Sequence, residues 1–239
     1  MRKTSITRAL GLAVVVVAAL CFCPSIAAQQ QSRGPIGPTQ PSVKQRGVDK
    51  VVPDAGRVVG STYTNDYFGL QLTVPAGWRV ADADAARKLD EQGADLVAGD
   101  SDERRARLRD AASKNINLIT MGKVLPTAGG ATESAVLIVG AEAVPTWLIK
   151  TPQEYIGQAR RILESSAMKV SVAEGTRKET LGGVEFAVLD VSSEQPGGLV
   201  RQHYYATLKK GYALFIISTY ASEQSAQAIE EVLKSVKFK

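Results

Sequence analysis

Apolar and polar residues alternate from Leu70 to Val74, with every second side chain apolar. This period of two is typical of a β-strand that buries one of its faces. Pro75-Ala76-Gly77 follows and predicts the end of the strand, because proline donates no backbone hydrogen bond and glycine accepts turn dihedrals. We expect Trp78 to cover the end of a core, and residues 63–80 to form the opening hairpin of a sandwich domain.

Later segments rich in β-branched and aromatic residues predict further strands. They are residues 116–124, 134–144, 170–172, 179–181, 184–191, 199–208 and 212–220. Several of these segments are separated by turn-forming residues. The turns are predicted at Pro126, Gly129-Gly130, Gly182-Gly183, Pro196-Gly197-Gly198 and Lys209-Lys210-Gly211.

Helix starts are predicted where a capping side chain precedes apolar positions three or four residues apart. Thr151-Pro152-Gln153-Glu154 has the residues of a capping box with proline in the first turn, and an apolar stripe follows over residues 155–163. The other capping candidates are Asp82 or Asp84 before an earlier helix and Ser222 or Ser225 before the last one.

Acidic residues are concentrated in Asp100-Ser101-Asp102-Glu103, which precedes four arginines. Acids in a first helical turn followed by bases complement the helix dipole, so the pattern predicts another helix start. The alternative is a calcium loop formed by Asp100, Asp102 and Glu103. The stretch lacks the glycine and the terminal glutamate of a recognised loop, and we therefore favour capping over calcium binding.

The N-terminus has the three parts of an export signal. Basic residues come first, an apolar run follows over residues 9–20, and small residues end the segment at Ala27-Ala28. We predict a signal peptide over residues 1–28, with an uncleaved anchor as the alternative. Residues 29–60, rich in glutamine, proline and glycine, are predicted to be a flexible linker, with a weak edge strand at Val51-Val52 as the alternative for that pair. The folded domain is predicted over residues 61–239.

Both cysteines, Cys21 and Cys23, lie in the predicted signal peptide, so the exported protein would have no disulfide and no thiolate. The chain has a formal net charge of +5, but from Ser61 onwards it has 21 basic and 22 acidic side chains. A domain that binds nucleic acid should show an excess of basic residues. We therefore expect no nucleic-acid partner, and with His203 as the one histidine we expect no bound metal or other cofactor.

Short motifs in the predicted domain are similar to those of one known family. They are Tyr63, Tyr67-Phe68-Gly69-Leu70, Val74-Pro75-Ala76-Gly77-Trp78, Tyr204-Tyr205-Ala206-Thr207, Gly211-Tyr212-Ala213-Leu214 and Ser235-Val236-Lys237-Phe238. On these residues the chain resembles the PsbP-like family, whose fold is shared by the extrinsic PsbP protein of photosystem II and by a small Ran-binding nuclear-import factor. The resemblance implies an α+β fold in which helices flank an antiparallel β-sheet, an α/β/α sandwich. It also implies a binding or assembly factor and not an enzyme, and it carries over no photosystem metal ligand.

No catalytic motif stands out in the sequence. His203 would have to serve any serine–histidine triad, yet no Gly-x-Ser-x-Gly elbow is present. Glu185 and Asp190 are carboxylates of one predicted strand, but strand alternation places them on opposite faces, which does not suit paired acid–base chemistry. A glycine-rich phosphate loop before a helix is also missing.

We expect a binding site in the hairpin of residues 199–220. Glycine stands third in Lys209-Lys210-Gly211, which predicts a type I turn with a glycine bulge and places Leu208 opposite Tyr212. In that register Arg201, His203 and Tyr205 share one face with the odd-numbered residues 213–217. These three side chains are the candidate ligand site, for an anion or a partner protein, and the alternative is that the sheet end simply reaches solvent.

The sequence thus favours an exported, non-catalytic binding or assembly module of the cell envelope, whose ligand or partner it does not name. The alternative function is an exported hydrolase with an unorthodox site near His203. A structural envelope protein is a third possibility.

Overall fold

The computed structural model describes residues 53–125, 135–195 and 198–239. Its strands are β1 (Arg57–Val59), β2 (Thr62–Asn65), β3 (Leu70–Thr73), β4 (Arg79–Val80), β5 (Ile116–Gly122), β6 (Val136–Ala143), β7 (Ser171–Val172), β8 (Arg177–Leu181), β9 (Val184–Gln195), β10 (Gly198–Lys209), β11 (Tyr212–Tyr220) and β12 (Lys237–Phe238). Its helices are α1 (Ala83–Ala98), α2 (Asp102–Ala112), α3 (Pro152–Glu164) and α4 (Glu223–Lys234). The predicted α+β class is confirmed.

The strands form two antiparallel sheets. The central sheet has eight strands, in the order β4-β5-β6-β11-β10-β9-β7, with β8 also paired to β9. The smaller sheet has four strands, in the order β1-β2-β3-β12. The predicted opening hairpin is present as β2 and β3, which pair from Thr62 with Thr73 to Asn65 with Leu70.

Both faces of the central sheet are covered by other elements. On one face α1, α2 and α3 pack on a core that includes Tyr155 and Phe215. On the other face the small sheet and α4 pack on a second core that includes Phe68 and Ile229. Because β6 and β11 are buried on both sides, their sequences are apolar almost throughout and do not alternate. The structure thus adds to the predicted flanking helices a second sheet, which covers one face together with α4.

The small sheet begins inside the segment 29–60 that the sequence predicts to be linker. β1 pairs with β2, from Arg57 with Thr64 to Val59 with Thr62. The preceding loop is anchored to β2, since the Tyr63 hydroxyl donates to the carbonyl of Ala55 at 2.8 Å. Gly56 adopts a φ of 74° there, and a Cβ on it would lie 2.5 Å from the carbonyl oxygen of Thr64. The predicted signal peptide, most of the predicted linker and Val51-Val52 lie outside the described residues.

The hairpin of β10 and β11 has a different register from the predicted one, and that prediction is wrong. Lys209 pairs with Tyr212 and Leu208 with Ala213, so the loop is the two-residue turn Lys210-Gly211. Both residues have positive φ, 53° and 82°, as a type I′ turn requires. The twist of that turn suits the two long strands, and the Lys210 ammonium donates to the carbonyl of Tyr67 at 2.6 Å. These contacts outweigh the intrinsic penalty of a left-handed lysine.

The register decides which residues lie side by side. Tyr205 pairs with Ile216 and His203 with Ser218, where the predicted register gave them odd-numbered neighbours of β11. A one-residue slip between strands exchanges the complete set of side chains that face each other.

The helix starts follow the predicted caps. Asp82 accepts from the backbone N–H of Ala85 at 2.8 Å, and Ser222 accepts from that of Ser225 at 3.2 Å. Thr151 and Glu154 form the complete capping box. In the stretch from Asp100 to Glu103, Ser101 caps α2. Within the same helix, Asp102 forms an ion pair with Arg105, and Glu103 forms one with Arg107.

Candidate functional site

The predicted site residues share one face of β10, but they differ in exposure. Arg201 is exposed, His203 is partly buried, and Tyr205 is only 3% exposed. The rings of His203 and Tyr205 lie 6.3 Å apart between centroids. Because Tyr205 is buried in the core, it does not line a surface site, and a ligand at this place would meet Arg201 and the edge of His203.

His203 is held by side chains of the two neighbouring strands. Its Nδ1 lies 2.5 Å from Oδ1 of Asp190 on β9, and its Nε2 lies 2.7 Å from the hydroxyl of Tyr220 on β11. The other carboxylate oxygen of Asp190 accepts from Nε of Arg177 at 3.1 Å. Both ring nitrogens of His203 therefore have partners within the protein. The positive charge of Arg177 is paired with the carboxylate of Asp190.

The pKa values in this cluster reflect the balance of burial and hydrogen bonding. Burial alone would raise the pKa of Asp190, but hydrogen bonds from Arg177 and His203 outweigh it, and the pKa lies below its ordinary value. Burial raises the pKa of Tyr205 to about 12. Arg177 forms a further ion pair with Glu179. The site predicted at Arg201, His203 and Tyr205 stays a prediction.

The same strands bring a serine opposite the histidine. Ser218 pairs with His203, which in turn pairs with Asp190, so the three residue types of a hydrolase triad cross neighbouring strands. Ser218 is 0% exposed, however, and its hydroxyl has no hydrogen-bond partner among the described residues. The Nε2 atom that would activate a serine contacts Tyr220 instead. Glu185 lies on the other face of β9 from Asp190, as predicted, and pairs with Lys178.

A cleft that the sequence did not predict lies at the β5 side of the central sheet. It has a volume of about 540 Å³ and lies between the β1–β2 hairpin, α1, the end of α2 and the first half of β5. β4 has only two residues and pairs with β5 only at Met121 and Gly122. Along the part of β5 before Met121, no described strand pairs with the edge that faces away from β6. The cleft lies along this unpaired edge.

The walls of the cleft are largely small or aliphatic. Ala83 and Ala86 of α1 present single methyl groups, so the helix surface leaves room beside the sheet. Leu118 and Ile119 of β5 contribute branched apolar side chains, and Val58 of β1 lies across from them. Such a concave, mostly apolar surface with a few polar groups is typical of ligand pockets.

Asp90 is the unusual polar group of the cleft. Within the part of the chain that the structure describes, no hydrogen bond or ion pair engages its carboxyl group. Burial, and to a smaller extent the nearby charge of Glu91, raises the pKa of Asp90 to about 7. The carboxyl group is therefore about half ionised at neutral pH.

The arginines around the cleft do not neutralise Asp90, because each has another carboxylate. Arg87 donates to Glu91 at 2.7 Å, and Arg109 donates to both oxygens of Asp95 at 3.0 and 2.8 Å. Arg57 donates to Asp66 at 2.7 Å across the hairpin.

Asn115 is a second polar group of the cleft without a partner. Its side-chain oxygen and nitrogen are both buried, and neither has a hydrogen bond within the described residues. By contrast, the nearby Asn117 amide donates to the Thr120 hydroxyl at 2.9 Å. Buried polar atoms are hydrogen-bonded in the great majority of cases, so the unpartnered carboxamide of Asn115 is an exception among the residues that line this cleft.

The sequence contains a signal for Asp90 that the sequence analysis missed. Asp90 stands four residues after the buried Ala86 and four before the buried Ala94, so helical periodicity places it on the inward face of α1. An acid at a buried helical position is a candidate functional group. Asn115 carries no such signal, because it lies between α2 and β5.

The described part of the chain offers no obvious metal or membrane-spanning element. Among its residues no three histidine, cysteine or acidic side chains come close enough to hold a metal ion. None of its helices combines the length and the apolar character needed to cross a bilayer.

Comparisons with known proteins give distant similarities in fold. No protein family and no curated protein matches the sequence. Cyanobacterial PsbP from Synechocystis superimposes with a TM-score of 0.44 at 12% identity, over 77% of this chain and 96% of its own. LpqN of Mycobacterium tuberculosis, described as involved in cell envelope biogenesis, gives a TM-score of 0.40 at 13% identity, over 71% of this chain and 83% of its own. These values are too low to carry a functional argument.

Proposed function

We propose that this protein is an exported, non-catalytic binding or assembly module of the cell envelope and that the cleft between α1, α2 and β5 holds its ligand. The observation that carries the proposal is a largely apolar cleft of about 540 Å³ that contains the Asp90 carboxyl group, for which the described residues provide no hydrogen-bond or ion-pair partner. A bound ligand would supply that partner. The cleft volume lies within the usual range of small-molecule pockets.

Export is supported by the sequence of residues 1–28, which has the charged, apolar and small-residue parts of a signal peptide. The absence of a catalytic role is supported by the His203 cluster, in which Nε2 contacts the hydroxyl of Tyr220 and not that of a serine.

The test of the binding proposal is ligand capture by the purified protein from an extract of its own envelope fraction, read by native mass spectrometry. We expect the wild type to retain a component that Ala83→Trp loses, because an indole at the first position of α1 fills the cleft. Ala173→Trp, the same change at an exposed position outside the cleft, is the matched control and should retain it. Equal retention by both variants would place the site elsewhere, and no retained component would contradict a binding module.

A hydrolase remains the second candidate because Asp190, His203 and Ser218 lie on adjacent strands. Its weakness is that the serine is fully buried and that Tyr220 occupies Nε2 of His203. The deciding measurement is hydrolysis of a panel of p-nitrophenyl esters by the wild type and by His203→Gln. We expect no difference between them, whereas hydrolysis that depends on His203 would favour the enzyme.

A further inference from the structure

The unpartnered carboxyl group of the cleft also indicates the chemical class of its ligand. We propose that the cleft recognises a small organic cation whose N–H donors pair with the Asp90 carboxylate. This inference rests on the proposed function above and adds the sign of the ligand charge.

The charges around the cleft favour a cation. Arg57, Arg87 and Arg109 each have a carboxylate partner among the described residues. Asp82 also lines the cleft without an ion pair, but its carboxylate accepts from the backbone N–H of Ala85 and caps α1. The Asp90 carboxyl group has neither kind of partner among the described residues. An anionic ligand would lie beside that carboxyl group and would find no unengaged arginine. A cation would instead supply the missing partner, and charge-assisted hydrogen bonds of this kind are stronger than neutral ones.

The donor and acceptor pattern favours an N–H group over a metal ion. The Asp90 carboxylate offers acceptors, and an ammonium group has donors for both of its oxygens. A hard metal ion such as calcium needs six to eight oxygen ligands, which one carboxylate does not provide. The described residues also contain no cluster of three metal-binding side chains.

The rest of the ligand is expected to be hydrocarbon. Ala86, Ala112 and Ile119 line the cleft beside the polar groups, and their side chains offer only apolar contacts. A slim alkyl chain with one terminal ammonium group matches both parts of the surface. Alkylammonium ions are therefore the simplest probes of the proposed class.

The experiment compares three molecules of equal length: n-hexylammonium, n-hexanol and n-hexanoate. Binding to the purified protein is measured at pH 8 by calorimetry, and the site is mapped from amide shifts in ¹⁵N–¹H NMR spectra. We expect hexylammonium to shift the amides of residues 83–91 and 115–120 and to bind about tenfold or more tightly than hexanol. Hexanoate should bind most weakly.

Matched variants assign the effect to one carboxyl group. Asp90→Asn removes the charge but keeps the shape, and it should lower the affinity for hexylammonium about tenfold while leaving that for hexanol unchanged. Asp100→Asn makes the same change at an exposed position beyond the end of α1 and should bind as the wild type does. Because a buried carboxamide is less costly than a buried carboxylate, lost binding in Asp90→Asn cannot be attributed to unfolding.

The pH dependence provides an independent readout. Other ionisable groups line the cleft around Asp90, namely Arg57, Tyr63, Asp82, Arg87, Glu91 and Arg109. The raised pKa values of the three arginines and of Tyr63 keep these four groups in one protonation state between pH 6 and 8. Hexylammonium binding should therefore strengthen from pH 6 to pH 8 in the wild type, as Asp90 ionises, and stay constant in Asp90→Asn.

The possible outcomes separate the two proposals. If hexanol and hexylammonium shift the cleft amides equally and Asp90→Asn changes neither, the cation class is wrong while the cleft remains a binding site. Tighter binding of hexanoate would overturn the charge assignment in the same way. If neither probe shifts the cleft amides and Ala83→Trp does not alter ligand capture, the proposed function fails as well.

Discussion

At the residue scale, Asp90 combines a cost to stability with a position in a cleft. Its carboxyl group is partly buried in the cleft and lies near the charge of Glu91, and the folded state therefore favours the protonated form. Residues whose pKa is shifted by burial are enriched at functional sites. Asp90 is accordingly a residue at which stability and binding should be separable by mutation.

We expect Asp90→Asn to raise the free energy of unfolding in a pH-dependent way. The pKa of Asp90 is about 7 in the folded protein, against 3.8 ordinarily, so between these values the folded state binds more protons than the unfolded state. Raising the pH through this window therefore destabilises the wild type, and the variant lacks this loss. The advantage of the variant should be near zero at pH 4 and reach up to about 4 kcal/mol above pH 7, since one pKa unit corresponds to about 1.4 kcal/mol.

Urea denaturation at several pH values measures this difference. Asp100→Asn serves as the control, and it should follow the wild-type profile. Parallel pH profiles of Asp90→Asn and the wild type would show that the carboxyl group is not desolvated.

The second prediction at this scale concerns Asp190, which joins His203 and Arg177. Its pKa is lowered, so its contribution to stability is present above the ordinary pKa of about 4 and is lost as the pH falls through the folded value. Asp190→Asn should destabilise the protein at pH 7 by about 1 kcal/mol, a modest value because the side chains are partly exposed and screened.

Thermal denaturation at pH 7 and at pH 3 checks this prediction, and the difference between variant and wild type should shrink at the lower pH. Glu194→Gln, at an exposed position of the same strand, should have little effect at either pH. A difference that is equal at both pH values would mean that the carboxylate charge does not contribute.

At the scale of elements, the β10–β11 turn shows how two long strands override a local preference. Lys210 takes a left-handed conformation that lysine rarely adopts, because the turn joins twelve-residue and nine-residue strands in a fixed register. Gly211 has a φ of 82°, and no atom lies near the position of an added Cβ. A substitution there tests backbone conformation without a steric clash.

Gly211→Ala should destabilise the protein by about 1 kcal/mol, because an L-residue is strained at this φ. Gly157→Ala is the matched change in the interior of α3, where the added methyl group also meets nothing within 4 Å. It should stabilise the protein by about 0.5–1 kcal/mol, since alanine is the better helix former. Chemical denaturation of both variants gives the comparison, and equal signs would contradict the turn assignment.

At the scale of the whole molecule, the layers are held in place by close packing between side chains and backbone. Gly140 of β6 lies beside Phe215 of β11, and a Cβ on Gly140 would lie 2.3 Å from the phenyl ring. The ring is 5% exposed and packs in the core under the helices, so it has little room to move. The ring thus packs over Gly140 within the sheet, on the face that the helices cover.

Gly140→Ala should therefore destabilise the protein by about 1–3 kcal/mol through overpacking. Phe215→Leu alone should also destabilise it, because it removes buried apolar contact. Combined, the two changes should cost less than the sum of the single effects, since the smaller side chain makes room for the methyl group. A double-mutant cycle by urea denaturation measures the coupling, and strict additivity would mean that the ring does not oppose the methyl group.

The sequence by itself determined the order of the elements and the helix caps. Thr151 with Glu154 was identifiable because capping depends on residues three positions apart. The caps Asp82 and Ser222 were each one of two predicted candidates. The strand from Leu70 was identifiable because alternation is a local pattern. The α+β class followed from these elements taken together.

The tertiary structure alone decided the strand register, the second sheet and the cleft. The Lys210-Gly211 turn was mispredicted because pairing along two strands outweighs the preference of one lysine. His203 contacts Tyr220 because of the β10–β11 register and Asp190 because of the β9–β10 register. Asp90 and Asn115 line the same cleft because β4 is too short to cover the edge of β5. The helices α1 and α2 pack beside that uncovered edge of β5. Such long-range proximity depends on how layers pack, which no local pattern of residues encodes.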